Sequence, residues 1–550
     1  MKVARALVPH PAPIANRRAG CHPAPRVLGV FACALLYAAA APQELRFCLP
    51  GDPKTFDALH VSDQRSEVIR YLTGGVLVRI NRTTDELQPE LAESWKLSDG
   101  GRAITFHLRA GLKFSDGEPL TAGDVARTFN TALDPKQASP AGDTFRSAGT
   151  PEVRVASPLE LTIRYQEPKP GIDRLFDALS IVPANPARLP ASAGPFFVSE
   201  YRPGDYVRLA RNPNYWKRDA KGKQMPYLDS IRIDIQPNRE IELTRFLRGK
   251  THLINKMEPE NFDRIAKEMP AAARNLGASL DSEFLWFNQS RSAGLPEWKR
   301  KWFTSAVFRH AISASIHRDD IARIVFRGHA HPAAGPFSPS NRFWFNASLK
   351  PLPFDAQAAL RGLAAEEFIL KDGMLRDRDG HAVEFSLITN SGNRPREAMA
   401  SVIQDDLRKI GIQVNIVTLD FSSLIERITK TSQYEACLQG FANVEIDPME
   451  QMNVWLSAGA EHAWWPLQKT PATPWEARID KLELLQASEP ARALRKKAFD
   501  EVQRIAVEQE PIIYLVNADY LAAISPALRG VQPVTAPPQI LWNIESLHLE

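Results

Sequence analysis

Apolar positions along this chain follow two periods. Close to every second residue is apolar in 44–50 (ELRFCLP), 103–108 (AITFHL), 161–165 (LTIRY), 206–209 (YVRL) and 231–235 (IRIDI), which is the pattern of half-buried strands. Between Thr121 and Asp134 the period lengthens, and Val125, Phe129 and Ala132 fall on one helical face. Thr121 is placed to cap that helix, Asp124 stands three residues later to complete a capping box, and Asp134-Pro135 ends it. The same reading predicts helices over 240–248, 305–327, 395–410, 421–429 and 490–508, with strands over 381–387 and 413–417 between them. Helix alternating with short strand makes the second half α/β, whereas residues 86–190 read as smaller and richer in strand. Forty-three prolines are spread along the chain, with no repeat, no low-complexity tract and no Gly/Ser linker. Lobes without linkers imply segments interleaved in sequence rather than strung in a row.

Charge changes the picture at the amino terminus. Lys2, Arg5, Arg17, Arg18 and Arg26 carry positive charge with no acid among them, and residues 28–41, LGVFACALLYAAAA, form an apolar run that ends in small residues. This is the layout of an export signal, too short for a comfortable membrane span, with cleavage expected near Ala41. An uncleaved anchor, or a lipoprotein using Cys33, are the alternatives. Of 68 basic and 64 acidic residues, five basic residues and no acids precede Gln43. The remainder therefore has 63 against 64, net −1, and a nucleic-acid partner loses its electrostatic support. The basic cluster Trp298-Lys299-Arg300-Lys301-Trp302 reads as a solvated turn anchored by tryptophans. Beyond the leader only Cys48 and Cys437 remain, either as two buried thiols or as one disulfide that export would permit.

Reactive motifs do not appear. The chain has no HExxH pair, EF-hand loop, phosphate-cradling GxxxxGK[ST] loop or G-x-S-x-G elbow. His329-Ala330-His331, between Gly328 and Pro332, reads as a loop detail rather than a metal site. The expectation is a protein without catalysis or cofactor. An exported enzyme with an unrecognised dyad, and a pure interaction protein, are the competing classes.

Residues 91–125 carry a distinctive order: Leu91-Ala92-Glu93-Ser94-Trp95, Thr105-Phe106-His107-Leu108-Arg109, Phe114-Ser115-Asp116-Gly117, then Pro119, Thr121, Ala122, Asp124 and Val125. Further along stand Arg211-Asn212-Pro213-Asn214-Tyr215-Trp216, Pro226-Tyr227-Leu228-Asp229, Phe308-Arg309-His310-Ala311-Ile312, Gly440-Phe441 and Asp447-Pro448. This series closely resembles the family-5 extracellular solute-binding proteins, the peptide, nickel and opine binding subunits of ABC importers. The resemblance implies an α/β, type II-like periplasmic binding fold: two lobes closing on a cleft, with an extra small domain on lobe one. The expected layout is an export segment over 1–41 and lobe one from 42–85, 191–284 and 513–550. The extra domain would take 86–190 and lobe two 285–512. The implied partners are a peptide-like small solute and an inner-membrane ABC permease, with the protein monomeric and periplasmic. A nickel complex, an opine or a saccharide is the alternative cargo.

The resemblance also suggests site residues. In peptide-binding members the acid of the Asp-Pro segment receives the ligand's amino terminus, and Asp447 stands at that position; an Asx turn is its other reading. Asn443 and Glu445 share its loop. Asn288, at the end of a strand, is a candidate donor to a peptide carbonyl, and Trp344 and Phe421 are candidate apolar walls, each equally readable as an ordinary core or rim residue.

Overall fold

A computed structural model describes residues 43–147, 149–185, 191–441, 447–466 and 468–550. The export segment 1–41 and the candidates Asn443 and Glu445 lie outside the described residues.

Lobe one is built on a four-stranded sheet in the order Glu44–Leu49, Ser230–Ile235, Tyr206–Arg211, Phe196–Arg202. The first two run parallel in register, from Glu44 opposite Ser230 to Leu49 opposite Ile235, and the rest are antiparallel. Leu45, Phe47, Val207, Leu209, Ile231 and Ile233 fill one core with Tyr520, Ile540 and Leu547 from the end of the chain. Gln43 and Leu549 exchange two hydrogen bonds, so both ends of the described chain meet in this lobe.

The small domain is a second four-stranded sheet, Ala92–Ser98, Ala103–Leu108, Glu160–Arg164 and Glu152–Ser157. The helix Ala122–Leu133 carries the expected capping box and buries Val125, Phe129 and Ala132 against Phe106, Phe145 and Phe176. A buried ion network roots this domain in lobe one. Lys217 Nζ lies 2.8 Å from Glu90 and 2.8 Å from Glu545. Burial opposes the charge on Lys217, but the two carboxylates outweigh it and raise its pKa.

Lobe two holds the larger sheet, in the order Gln413–Leu419, Glu384–Asn390, Ala436–Phe441, Ser282–Phe287, Ile512–Ile524. The first three strands are mutually parallel. Ser282–Phe287 shows why both faces are covered: Leu285 and Phe287 enter one core with Phe308, Ile312 and Met399, while Phe284 and Trp286 enter another with Trp344, Trp455 and Phe499.

The 13-residue strand Ile512–Ile524 belongs to both lobes. Its first half pairs with Ser282–Phe287, its second with Ala273–Ala278 and Leu253–Ile254. The passage from lobe two back to lobe one therefore lies inside this strand. The other passage runs from Ala278 to Ser282, and Asn517 ties the two by donating to the Asp281 carbonyl (2.9 Å) and Ser282 Oγ (2.8 Å). Two adjacent crossings of this kind form a hinge.

Several elements depart from the sequence reading. The helix expected over 305–327 is broken into Ala306–Ala314, Arg318–Asp320 and a wider turn, Ile321–Val325. Ser315 bonds back to the Ala311 carbonyl, and buried Arg318 turns inward to the Tyr514 and Ser313 carbonyls. The strand expected at 381–387 forms at Glu384–Asn390. The Trp298–Trp302 cluster is not a solvated turn but part of the helix Glu297–Thr304: Trp302 is buried, Trp298 stacks on His381, and Lys299 pairs with Glu435 at 2.6 Å. His329 and His331 turn to separate carboxylates, Asp263 and Asp519. Cys48 and Cys437 are free, buried thiols; burial pushes Cys48 up to about 12 and raises Cys437 further.

Candidate functional site

In open α/β sheets, ligands bind beyond the carboxyl ends of parallel strands, where helix N-termini leave unpaired amides. Lobe two brings three such ends to one edge. Glu384–Asn390 leads to Asn393, which caps Arg394–Lys409; Gln413–Leu419 leads to Asp420, which caps Phe421–Glu426; Ala436–Phe441 leads toward Asp447, which caps Pro448–Gln451. Phe441 pairs with Ser282 at the hinge. Lobe one offers the matching feature: Glu44–Leu49 and Ser230–Ile235 end together, the latter just before Asn238, which caps Arg239–Leu247.

One cluster fixes the lobe-two edge. Arg396, in the first turn of its helix, reaches Glu283 at 2.8 Å, Asn390 at 3.0 Å and the Gly440 carbonyl at 3.4 Å, so it joins three strands. Burial raises Glu283 above its ordinary pKa, and Arg396 acts against that shift. Gly440 permits the close approach, because a Cβ there would sit 2.7 Å from the Glu283 carboxylate.

The predicted site residues divide. Phe421 lies on the edge and is 57% exposed, an aromatic available to a ligand. Asn288 is fully buried; its amide donates to the Ser432 and Tyr434 carbonyls at 2.8 and 3.0 Å, and its oxygen accepts from Ser290 N. With every donor engaged, it is a strut between loops. Trp344 is 1% exposed and packs on Phe343 and Phe499, so it is core and not cavity wall. Asp447 accepts from Met449 N at 3.0 Å and pairs with Arg495 Nη2 at 2.5 Å. Arg495 is itself buried, donates to the Gln486 carbonyl, and lies 5.0 Å from the Trp344 ring centroid. An incoming amine would have to share this carboxylate with a cation already in place. Through this pairing Asp447 ties the start of Pro448–Gln451 to the helix Arg492–Gln509, which is a structural role.

Sequence reading missed Arg396, Arg492 and Arg495. Arg492 and Arg495 are spaced to share a helical face; Arg492 turns to the end of the first lobe-one segment and Arg495 to the small domain. Arg492 pairs with Asp85, and a Cβ at Gly171 would lie 3.3 Å from Arg495 Nη1. Among the described residues, no group of three or more His, Cys, Asp or Glu is placed to hold a metal ion, and no helix is long and apolar enough to cross a membrane.

Residues 86–462 match the bacterial extracellular solute-binding proteins, family 5. The chain belongs to that family. Its relatives include a probable ABC transporter-binding protein of Deinococcus radiodurans, 26% identical over 504 residues, covering 83% of this chain and 84% of that one. The oligopeptide-binding protein AppA of Bacillus subtilis is 24% identical over 518 residues, covering 90% of this chain and 89% of its own. Among solved structures, NikA from Brucella suis in complex with Fe(III)-EDTA superposes with a TM-score of 0.76 at 21% identity, over 92% of this chain and 100% of that one. The fold is thus the two-lobed α/β architecture of type II periplasmic binding proteins, with a small domain added to the first lobe.

Proposed function

We propose that this chain is the solute-binding component of an ABC importer. It binds an oligopeptide or peptide-like solute between its lobes and delivers it to a membrane permease. The observation that carries this reading is the lobe-two edge: three strand ends and their capped helices, held rigid by Arg396, open beside a two-strand hinge with Phe421 exposed. First-turn amides that the caps leave over suit ligand carbonyl oxygens, and an exposed aromatic suits an apolar side chain. Similarity to an oligopeptide-binding protein over 90% of this chain, at 24% identity, supports a peptide as the first cargo to test. Hinge closure then removes water from both partners, which gives affinity while leaving an open state for release. In this reading the chain acts as a monomer outside the cytoplasm, after cleavage near Ala41.

Thermal unfolding in the presence of defined peptide pools tests the reading. A member present at ~100 times its Kd stabilises the closed protein by about 2.7 kcal/mol. Peptide pools are expected to raise the Tm and to compete with one another. Stabilisation by nickel complexes or opines, with none by any peptide, would assign the cleft to other cargo.

A further inference from the structure

Near the hinge strands, Asp263 of lobe one holds Arg327 and His329. Away from the hinge, the described residues bring the lobes together where the small domain meets the start of the helix Arg492–Gln509. Between the strands Val78–Ile80 and Leu87–Pro89, Asn81 organises a tight turn by accepting from Thr83 N and Thr84 N, while its carbonyl accepts from Asp85 N. The turn leaves Asp85 at φ +60°, in the left-handed region, with its side chain 25% exposed. One oxygen of that carboxylate takes Arg174 from the small domain; the other takes Arg492 from lobe two.

We propose that Asp85 and Arg492 form a latch between the lobes, made only in the closed state, which sets the open–closed balance whatever solute is carried. The surroundings fit a contact built to part. When the lobes separate, Asp85 keeps Arg174, which also donates to the Asp85 carbonyl at 3.0 Å. Arg492 keeps its stacking on Phe343, 3.7 Å from the ring centroid, and its side chain is already 37% exposed. Neither charge is orphaned by opening, in contrast to Arg495, whose side chain is 3% exposed in its pair with Asp447. The latch also sits one helical turn from Arg495, so it shares a helix with the residue that holds Asp447.

A partly exposed ion pair changes an equilibrium by about two- to fivefold and is screened by salt. Closure can be read in solute-free protein by single-molecule energy transfer between dyes on Glu152→Cys, in the small domain, and Lys481→Cys, in lobe two. Buried Cys48 and Cys437 stay unlabelled. Arg492→Gln should lower the closing constant about two- to fivefold at low salt, and Asp85→Asn, whose new side chain tolerates the same φ, should do likewise. Arg492→Lys should fall between, and ~0.5 M salt should erase the difference from wild type. Wild-type protein that never closes without solute, variants that close as often as wild type, or a deficit that salt leaves unchanged would each overturn the latch. None of these results depends on the identity of the cargo.

Discussion

Replacing Asp447 by Asn separates two roles for one carboxylate. If it anchors a ligand amine, the substitution costs affinity and little stability; if it neutralises Arg495, it costs stability. Breaking a buried ion pair costs ~3–5 kcal/mol, mostly through the charge left behind. Asp447 is 17% exposed and Asn still accepts from Met449 N, while Arg495 keeps the Gln486 carbonyl, so we expect ~2–3 kcal/mol. A chain of this length loses only ~1 °C of Tm per kcal/mol, so urea unfolding is the better measure. Intrinsic fluorescence sums over eleven tryptophans, Trp344 beside the Arg495 guanidinium among them, and follows unfolding of the chain as a whole. A double-mutant cycle with Arg495→Gln should then show the double variant more stable than the two single losses imply, by ~1–2 kcal/mol. Unchanged stability in Asp447→Asn, together with lost binding of free-amine peptides and retained binding of their N-acetylated forms, would refute the structural assignment and restore Asp447 as the ligand's ionic anchor.

Other expectations follow from the same geometry. Burial opposes ionisation of Glu476, but His462 at 3.7 Å together with hydrogen bonds from Trp464, Gln468 and Thr473 outweighs it and holds the carboxyl at about 2. Its stabilisation is present above the unfolded pKa of ~4.5 and is lost as pH falls toward 2. Glu476→Gln should therefore cost ~3 kcal/mol at pH 7 and far less near pH 2.5, measured by urea unfolding at both values. His310 stands with one ring nitrogen 3.0 Å from Glu510 and the other 2.7 Å from the Glu508 carbonyl, and its hydrogen bond to Glu510 raises its pKa. That contribution is complete below ~6.5 and fades as pH rises through the folded pKa, so His310→Gln should flatten the decline of stability on the alkaline side. Phe421→Ala should leave stability within ~0.5 kcal/mol, because the ring is 57% exposed, yet lower solute affinity about five- to thirtyfold by calorimetry.

Much of the scaffold was legible because local signals and burial agree there. The capping box at Thr121 and Asp124, the alternating strands around Phe47 and Ile233, and the stop at Asp134 all form where the pattern placed them. The helix Pro474–Ser488 was missed although Thr473 and Glu476 form a capping box, because its buried Glu476, Glu483 and Gln486 hide the apolar stripe. The broken helix after Ala314 depends on Arg318 reaching a carbonyl nearly two hundred residues away, which no local pattern reveals. The site was less legible for the same reason. An Asp-Pro turn or a strand-end Asn reads alike whether it meets a ligand or a neighbour. Only the fold brings Arg495 to Asp447 and the Tyr434 carbonyl to Asn288. Phe421 is legible to this extent: standing after a strand and before a helix, it lies at the carboxyl edge, as its sequence context implies.

The central claim, that the cleft carries a peptide-like solute, is tested most directly by native mass spectrometry of the protein isolated gently from its source. The account predicts a one-to-one adduct that leaves on mild activation and fragments as a peptide. Protein that emerges bare, and stays bare after incubation with peptide mixtures from the same source, would contradict it.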